Sequence, residues 1–154
     1  MLKIKPFGIA AILVATMWFL SASASSQTKT GEVFEMVNPA EEVNRFDSDM
    51  SNAQKNQVNV LAPISFGKAE EYLNDAKEGL VGGEEISEIL EDITSGLTQL
   101  QRAEEMAQVA RTTLPSVIKA RDLARAAGAT SFGDDYVKAE KQFLKLTKAI
   151  EKNN

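Results

Sequence analysis

The chain has 154 residues, with 17 Lys and Arg against 22 Asp and Glu, a net charge of −5, and neither histidine nor cysteine. The missing histidine and cysteine exclude the usual nucleophile and base pairs, zinc sites, the Glu-x-x-His pattern of di-iron bundles, disulfides and a lipidated cysteine. An acidic balance of this size argues against nucleic acid as a partner.

Lys3 and Lys5 are followed by 14 residues without a charge, Phe7 to Leu20, and then by a small polar segment from Ser21 to Ser26. That is the order of a secretory signal peptide. Ala22-Ser23-Ala24 places small side chains where a signal peptidase needs them, so cleavage is expected before Ser25. A retained anchor is the rival reading, but the apolar run is shorter than the roughly 20 residues that cross a bilayer. The sequence therefore predicts 1–24 as signal peptide, 25–38 as a flexible leader and 39–154 as a helical domain. That domain is expected in the periplasm or at the outer membrane, with no transmembrane span after cleavage.

Removing 24 of 154 residues leaves 130, enough for one domain with its own core. The remaining charge is uneven: Ser25 to Ala110 holds 6 basic and 17 acidic residues, Arg111 to Asn154 holds 9 and 5. Basic C-terminal helices packed beside acidic ones would explain this; a basic face for an anionic polymer or lipid is the alternative.

Asn38-Pro39 opens a first helix, with Asn38 as N-cap, Pro39 at the first position and Glu41 and Glu42 in the first turn. Val43, Phe46, Met50 and Ala53 mark its inner face, and it should run to about Leu61, before Pro63. Ser65 opens a second, with Phe66, Ala69, Leu73, Ala76 and Leu80 on one face and Gly82-Gly83 as its stop. From Glu84 a third and longest helix carries Ile86, Leu90, Ile93, Leu97, Leu100, Ala103, Ala107, Ala110 and Leu114, spanning about 45 Å. Pro115 must kink or end it. The kink is the preferred form, because Thr112 and Thr113 are poor breakers and no glycine marks a stop. Val117 to Ala127 continues as helix to Gly128, and Ser131 begins a last helix with Phe132, Tyr136, Ala139, Phe143, Leu146 and Ile150 on one side. No segment alternates as a half-buried strand does.

Ser65-Phe66-Gly67 recurs as Ser131-Phe132-Gly133, and Lys68-Ala69-Glu70 as Lys138-Ala139-Glu140. Two such copies fall short of a solenoid. The expected fold is all-α, an elongated antiparallel bundle of about five helices, with the long one kinked or broken at Pro115.

Carboxylates are the remaining chemistry. Glu84, Glu85, Glu88, Glu91 and Asp92 cluster at the start of the third helix, and Asp134 and Asp135 at the start of the last. A calcium or magnesium site would need a loop that fixes oxygens around one point, and none is present, so these acids read as solvated faces favoured by the helix dipole. Phe66, Tyr72, Phe132, Tyr136 and Phe143 lie on or beside helical stripes and read as core rather than as a ligand-stacking set. Gly82-Gly83 is followed by acids without a lysine, which makes it a turn and not a phosphate cradle. No catalytic, cofactor or metal residue is assigned, and no enzyme activity is expected.

The stretch Asn59-Val60-Leu61-Ala62-Pro63, with Ser65-Phe66 and Lys68-Ala69-Glu70, resembles the N-terminal helical region of OmpA/MotB-type cell-envelope proteins of Gram-negative bacteria. The likeness continues through Gln101-Arg102-Ala103-Glu104, Ala110-Arg111-Thr112-Thr113, Ala120-Arg121, Ala126-Ala127-Gly128-Ala129, Phe132 and Leu146-Thr147-Lys148-Ala149-Ile150-Glu151. The resemblance implies a spacer or interaction module. The peptidoglycan-gripping C-terminal domain of such proteins, with its Asp and Arg, has no counterpart here, so none of its binding residues carries over. The chain is then either a stand-alone relative or a piece of a longer protein. The expected role is a non-catalytic structural or partner-binding module of the envelope, its partner an envelope protein or cell-wall component. The alternative is a periplasmic binding or chaperone-like bundle holding a ligand or client protein.

Overall fold

The computed structural model describes residues 37–153. The expected signal peptide and nearly all of the leader lie outside the described residues. Within them all regular structure is helical: α1 Pro39–Lys55, α2 Val58–Leu61, α3 Pro63–Gly82, α4 Ile86–Thr113, α5 Pro115–Ala126 and α6 Asp134–Lys152, with a 3-10 turn at Ala129–Phe132. This is the all-α bundle expected from the sequence. Among the described residues no helix is long and apolar enough to cross a membrane.

α3 and α4 form the spine, an antiparallel pair joined by a turn in which Gly83 takes a left-handed φ of 74°. The core they share carries small side chains, Ala69 and Ala76 on α3 and Ala103, Ala107 and Ala110 on α4, all fully buried. Leu73, Ile89, Ile93 and Leu100 fill the spaces between them. α1 lies across this pair and adds Val43, Phe46, Met50 and Ala53, the four positions expected. Its start is also as expected, since the Asn38 side-chain Oδ1 accepts from the Ala40 N–H at 3.1 Å.

The first helix does not reach Leu61. It stops at Lys55, and Gln57 turns the chain with a left-handed φ of 60° before the single turn of α2. That corner lets Val58 and Leu61 enter the core beside the last turns of α4, where Arg111 donates to the Asn56 carbonyl at 2.7 Å. α3 begins at Pro63, not Ser65, because proline is suited to the first helical position.

The row of α4 that faces the core is Ile89, Ile93, Gly96, Leu100, Ala103, Ala107 and Ala110, whereas the expected Ile86 and Leu97 are exposed. The buried row is the one that contains glycine. A Cβ at Gly96 would lie 2.5 Å from Cε1 and Cζ of Phe46, so the missing side chain is what admits the Phe46 ring from α1. On α6 the buried residues are Phe143, Thr147 and Glu151; the expected Phe132 is 75% exposed and Leu146 is exposed too. The internal repeat is not carried into the fold. Ser65 and Phe66 are buried in the first turns of α3, while Ser131 and Phe132 lie in the exposed 3-10 turn and Gly133 takes a positive φ of 58°.

The long helix is interrupted where expected, by one non-helical residue. Leu114 leaves helical geometry at φ −121° and ψ 41°, and Pro115 starts α5 at its first position. α5 does not fold back along α4. Gly128, at φ 82°, ends α5 as expected.

Candidate functional site

α5 has no fully buried residue; Ile118 is half-buried against the core. It stands against α6 across an open groove of about 380 Å³ lined by Val117, Ala120, Ala124, Ala139, Phe143 and Leu146, with Arg121, Tyr136, Glu140 and Gln142 at its polar positions. Alanines at 120, 124 and 139 leave the floor shallow, and Val117 and Leu146 remain exposed at its edges.

Arg121 ties the groove together. Its Nε and Nη2 each donate to a Glu140 carboxylate oxygen at 2.9 Å, the two-pronged geometry that makes arginine–carboxylate pairs strong. Its Nη1 donates to Oε1 of Gln57 at 2.7 Å, and its guanidinium carbon lies 4.9 Å from the centroid of the Phe143 ring. Gln57 in turn donates from Nε2 to Asp122. One side chain therefore fixes the α1–α2 corner, α5 and α6 relative to one another.

Burial opposes the charge on Glu140, yet the hydrogen bonds from Arg121 and Tyr136 and the nearby guanidinium groups outweigh it and hold the carboxyl below its ordinary range. Tyr136 is pushed the other way, by burial first and then by the adjacent Glu140 carboxylate.

The acids singled out by sequence remain spread along the surface. Among the described residues no group of three or more potential ligands is placed to hold a metal. Around Asp92, partial burial raises the carboxyl pKa, and repulsion from Asp75, Glu91 and Glu88 adds to it. Asp134 and Asp135 occupy the first turn of α6, where Asp135 pairs with Lys138 at 3.2 Å. Of the five aromatics, only Tyr136 and Phe143 line one groove; Phe66 belongs to the core and Tyr72 sits beside Gly96.

The residues that organise the groove, Arg121, Glu140 and Gln57, were not found from sequence as a set. Their separations, 19 residues between Arg121 and Glu140 and 64 between Arg121 and Gln57, have no helical periodicity to betray them. Comparison with known proteins gives no further lead: no family model, no curated protein and no solved structure matches the chain.

Proposed function

We propose that this chain is a non-catalytic helical module of the cell envelope, exported by its N-terminal segment, that works by binding a partner along the groove between α5 and α6. The observation that carries partner binding is the groove itself: a helix with no fully buried residue, tied to α6 by the Arg121–Glu140 pair, with apolar side chains left open between them. Export is supported by Lys3, Lys5 and the uncharged run Phe7 to Leu20, and the envelope setting by the resemblance to the helical region of OmpA/MotB-type proteins. The lack of histidine and cysteine supports a role without chemistry.

A photo-crosslinking residue placed at Ala124 or Ala139 should attach an envelope protein or cell-wall component in living cells, and the same residue at Lys55 on α1 should not. Equal labelling at all three positions would remove the groove from consideration. Export is tested separately: the secreted product should begin at Ser25, and material in the soluble periplasm with Met1 intact would overturn it.

A second reading is favoured by the apolar lining, namely a bundle that holds a ligand or client protein in the same groove. It predicts that the purified protein delays aggregation of an unfolded client, and that Ala124→Glu abolishes the effect.

A further inference from the structure

The five lysines of α6 fall at 138, 141, 145, 148 and 152, separated by 3, 4, 3 and 4 residues, so they form one straight row along the helix. All five are exposed, on the side of α6 away from Phe143, Thr147 and Glu151. The row is about 21 Å long. Among the described residues only Lys138 of the five is in an ion pair, with Asp135 of its own helix. The basic residues of α6 are thus not neutralised by packing beside acidic helices.

Apart from Asp134 and Asp135, which open α6 at the head of the row, exposed acidic side chains collect elsewhere. Glu71, Asp75 and Glu78 on α3 and Glu88, Glu91 and Asp92 on α4 lie toward the α3–α4 turn, and among the described residues none is in an ion pair. α6 is fastened to the opposite end of α3, where Glu151 accepts from the N–H groups of Ile64 and Ser65 at 2.7 and 3.0 Å. Ten to fourteen residues of helix, about 15 to 20 Å, separate that anchor from Asp75 and Glu78. The lysine row and most of the unpaired acids thus lie toward different parts of the bundle.

We propose that the outer face of α6 docks on a bilayer surface of anionic phospholipid headgroups. The lysine row is the positive complement to such a surface, and the remote acidic end keeps repulsion away from it. Apolar side chains flank the row on the side away from the groove, Val137 and Leu144, with Phe132 just before the helix. These gain by entering the headgroup region, whereas a soluble polyanion offers them nothing. The acidic end of a second copy is the competing occupant. Its separate ion pairs are weak, while lysines facing a continuous sheet of charge act additively, on the order of fivefold in partitioning for each.

This surface is distinct from the α5–α6 groove and can fail or stand independently of it. The test is co-sedimentation of the full chain with vesicles of phosphatidylcholine alone or with phosphatidylglycerol added, at low and high salt. Binding to neutral vesicles reports any contribution of the apolar N-terminal run. The expected result is binding that requires phosphatidylglycerol, weakens strongly between about 0.05 and 0.5 M salt, and drops about a hundredfold in Lys141→Gln/Lys145→Gln/Lys148→Gln. These positions are exposed, and an unchanged melting curve verifies the fold. Lys55→Gln/Lys68→Gln, with exposed lysines on α1 and α3, should bind as the parent does. Equal loss in that control, indifference to phosphatidylglycerol, or salt-sensitive self-association without vesicles that the triple variant abolishes would each overturn the proposal.

Discussion

The ring of Phe46 rests on the bare backbone of Gly96. A methyl group at that position would meet Cε1 and Cζ of the ring at 2.5 Å and Tyr72 Cβ at 3.0 Å. Gly96→Ala should therefore destabilise the domain: overpacking costs about 1–3 kcal/mol, only partly offset by the roughly 1 kcal/mol that alanine gains over glycine in a helix. Gly67 in α3 is the control, because nothing lies within 4 Å of a Cβ there, and Gly67→Ala should stabilise by about 0.5–1 kcal/mol. Urea titrations of both variants check the contrast; equal stability would refute the tight contact.

Glu151 acts as an N-cap supplied from a distant helix. α3 begins with Ala62 and Pro63, which offer no capping side chain, and the Glu151 carboxylate takes the place of one on Ile64 and Ser65. Glu151→Ala leaves two N–H groups without an acceptor in a largely buried corner and should cost about 1–3 kcal/mol. Glu151→Gln keeps one acceptor and should cost less. Thermal melts give the ranking, and an unchanged melt for Glu151→Ala would show that solvent serves the cap equally well.

The Arg121–Glu140 pair gives stability a pH dependence of known sign. The folded-state pKa of Glu140 lies below its ordinary value of 4.5, so the unfolded chain takes up its proton first as pH falls. The contribution of the pair is then fully present above the ordinary carboxylate range and is lost as pH falls through the lowered folded value. The stability difference between the parent and Glu140→Gln should shrink on acidification below that range. A difference that stayed constant down to about pH 2 would assign the effect of the substitution to packing.

At Pro115 the backbone geometry decides between two outcomes. A proline inside a continuing helix costs about 3 kcal/mol, and its removal stabilises. Here Pro115 sits at the first position of α5, after the non-helical Leu114, where no intrahelical bond is forfeited. Pro115→Ala should be neutral or destabilise by less than about 1 kcal/mol, through a freer unfolded chain. A clear rise in melting temperature would restore the kinked-helix description.

Much of the fold was legible because apolar spacing and caps are local signals: Asn38-Pro39, Gly83 and Gly128 are where the sequence puts helix ends, and all four inner positions of α1 are buried. The misassignments share a cause. On α4 two adjacent apolar rows compete, and the row that wins contains a glycine that hydropathy does not count as apolar. On α6 the inner face includes Thr147 and Glu151, polar residues that can be buried because Thr147 donates to the Leu144 carbonyl and Glu151 caps α3. A partner 87 residues away leaves no trace in the local pattern. The groove was hidden for the same reason, since Arg121 acquires its meaning only when α5 and α6 are set side by side.

α5 contributes twelve residues to the fold and no fully buried side chain. Its backbone amides are consequently protected by little beyond their own helical turns, the Arg121 tether and the half-buried Ile118. In deuterium exchange they should open long before those of α3 and α4, as a separate unit whose release leaves the rest of the molecule closed. Substitution on its outward side should then scarcely touch the stability of the spine, so the surface of α5 can vary without refolding the core.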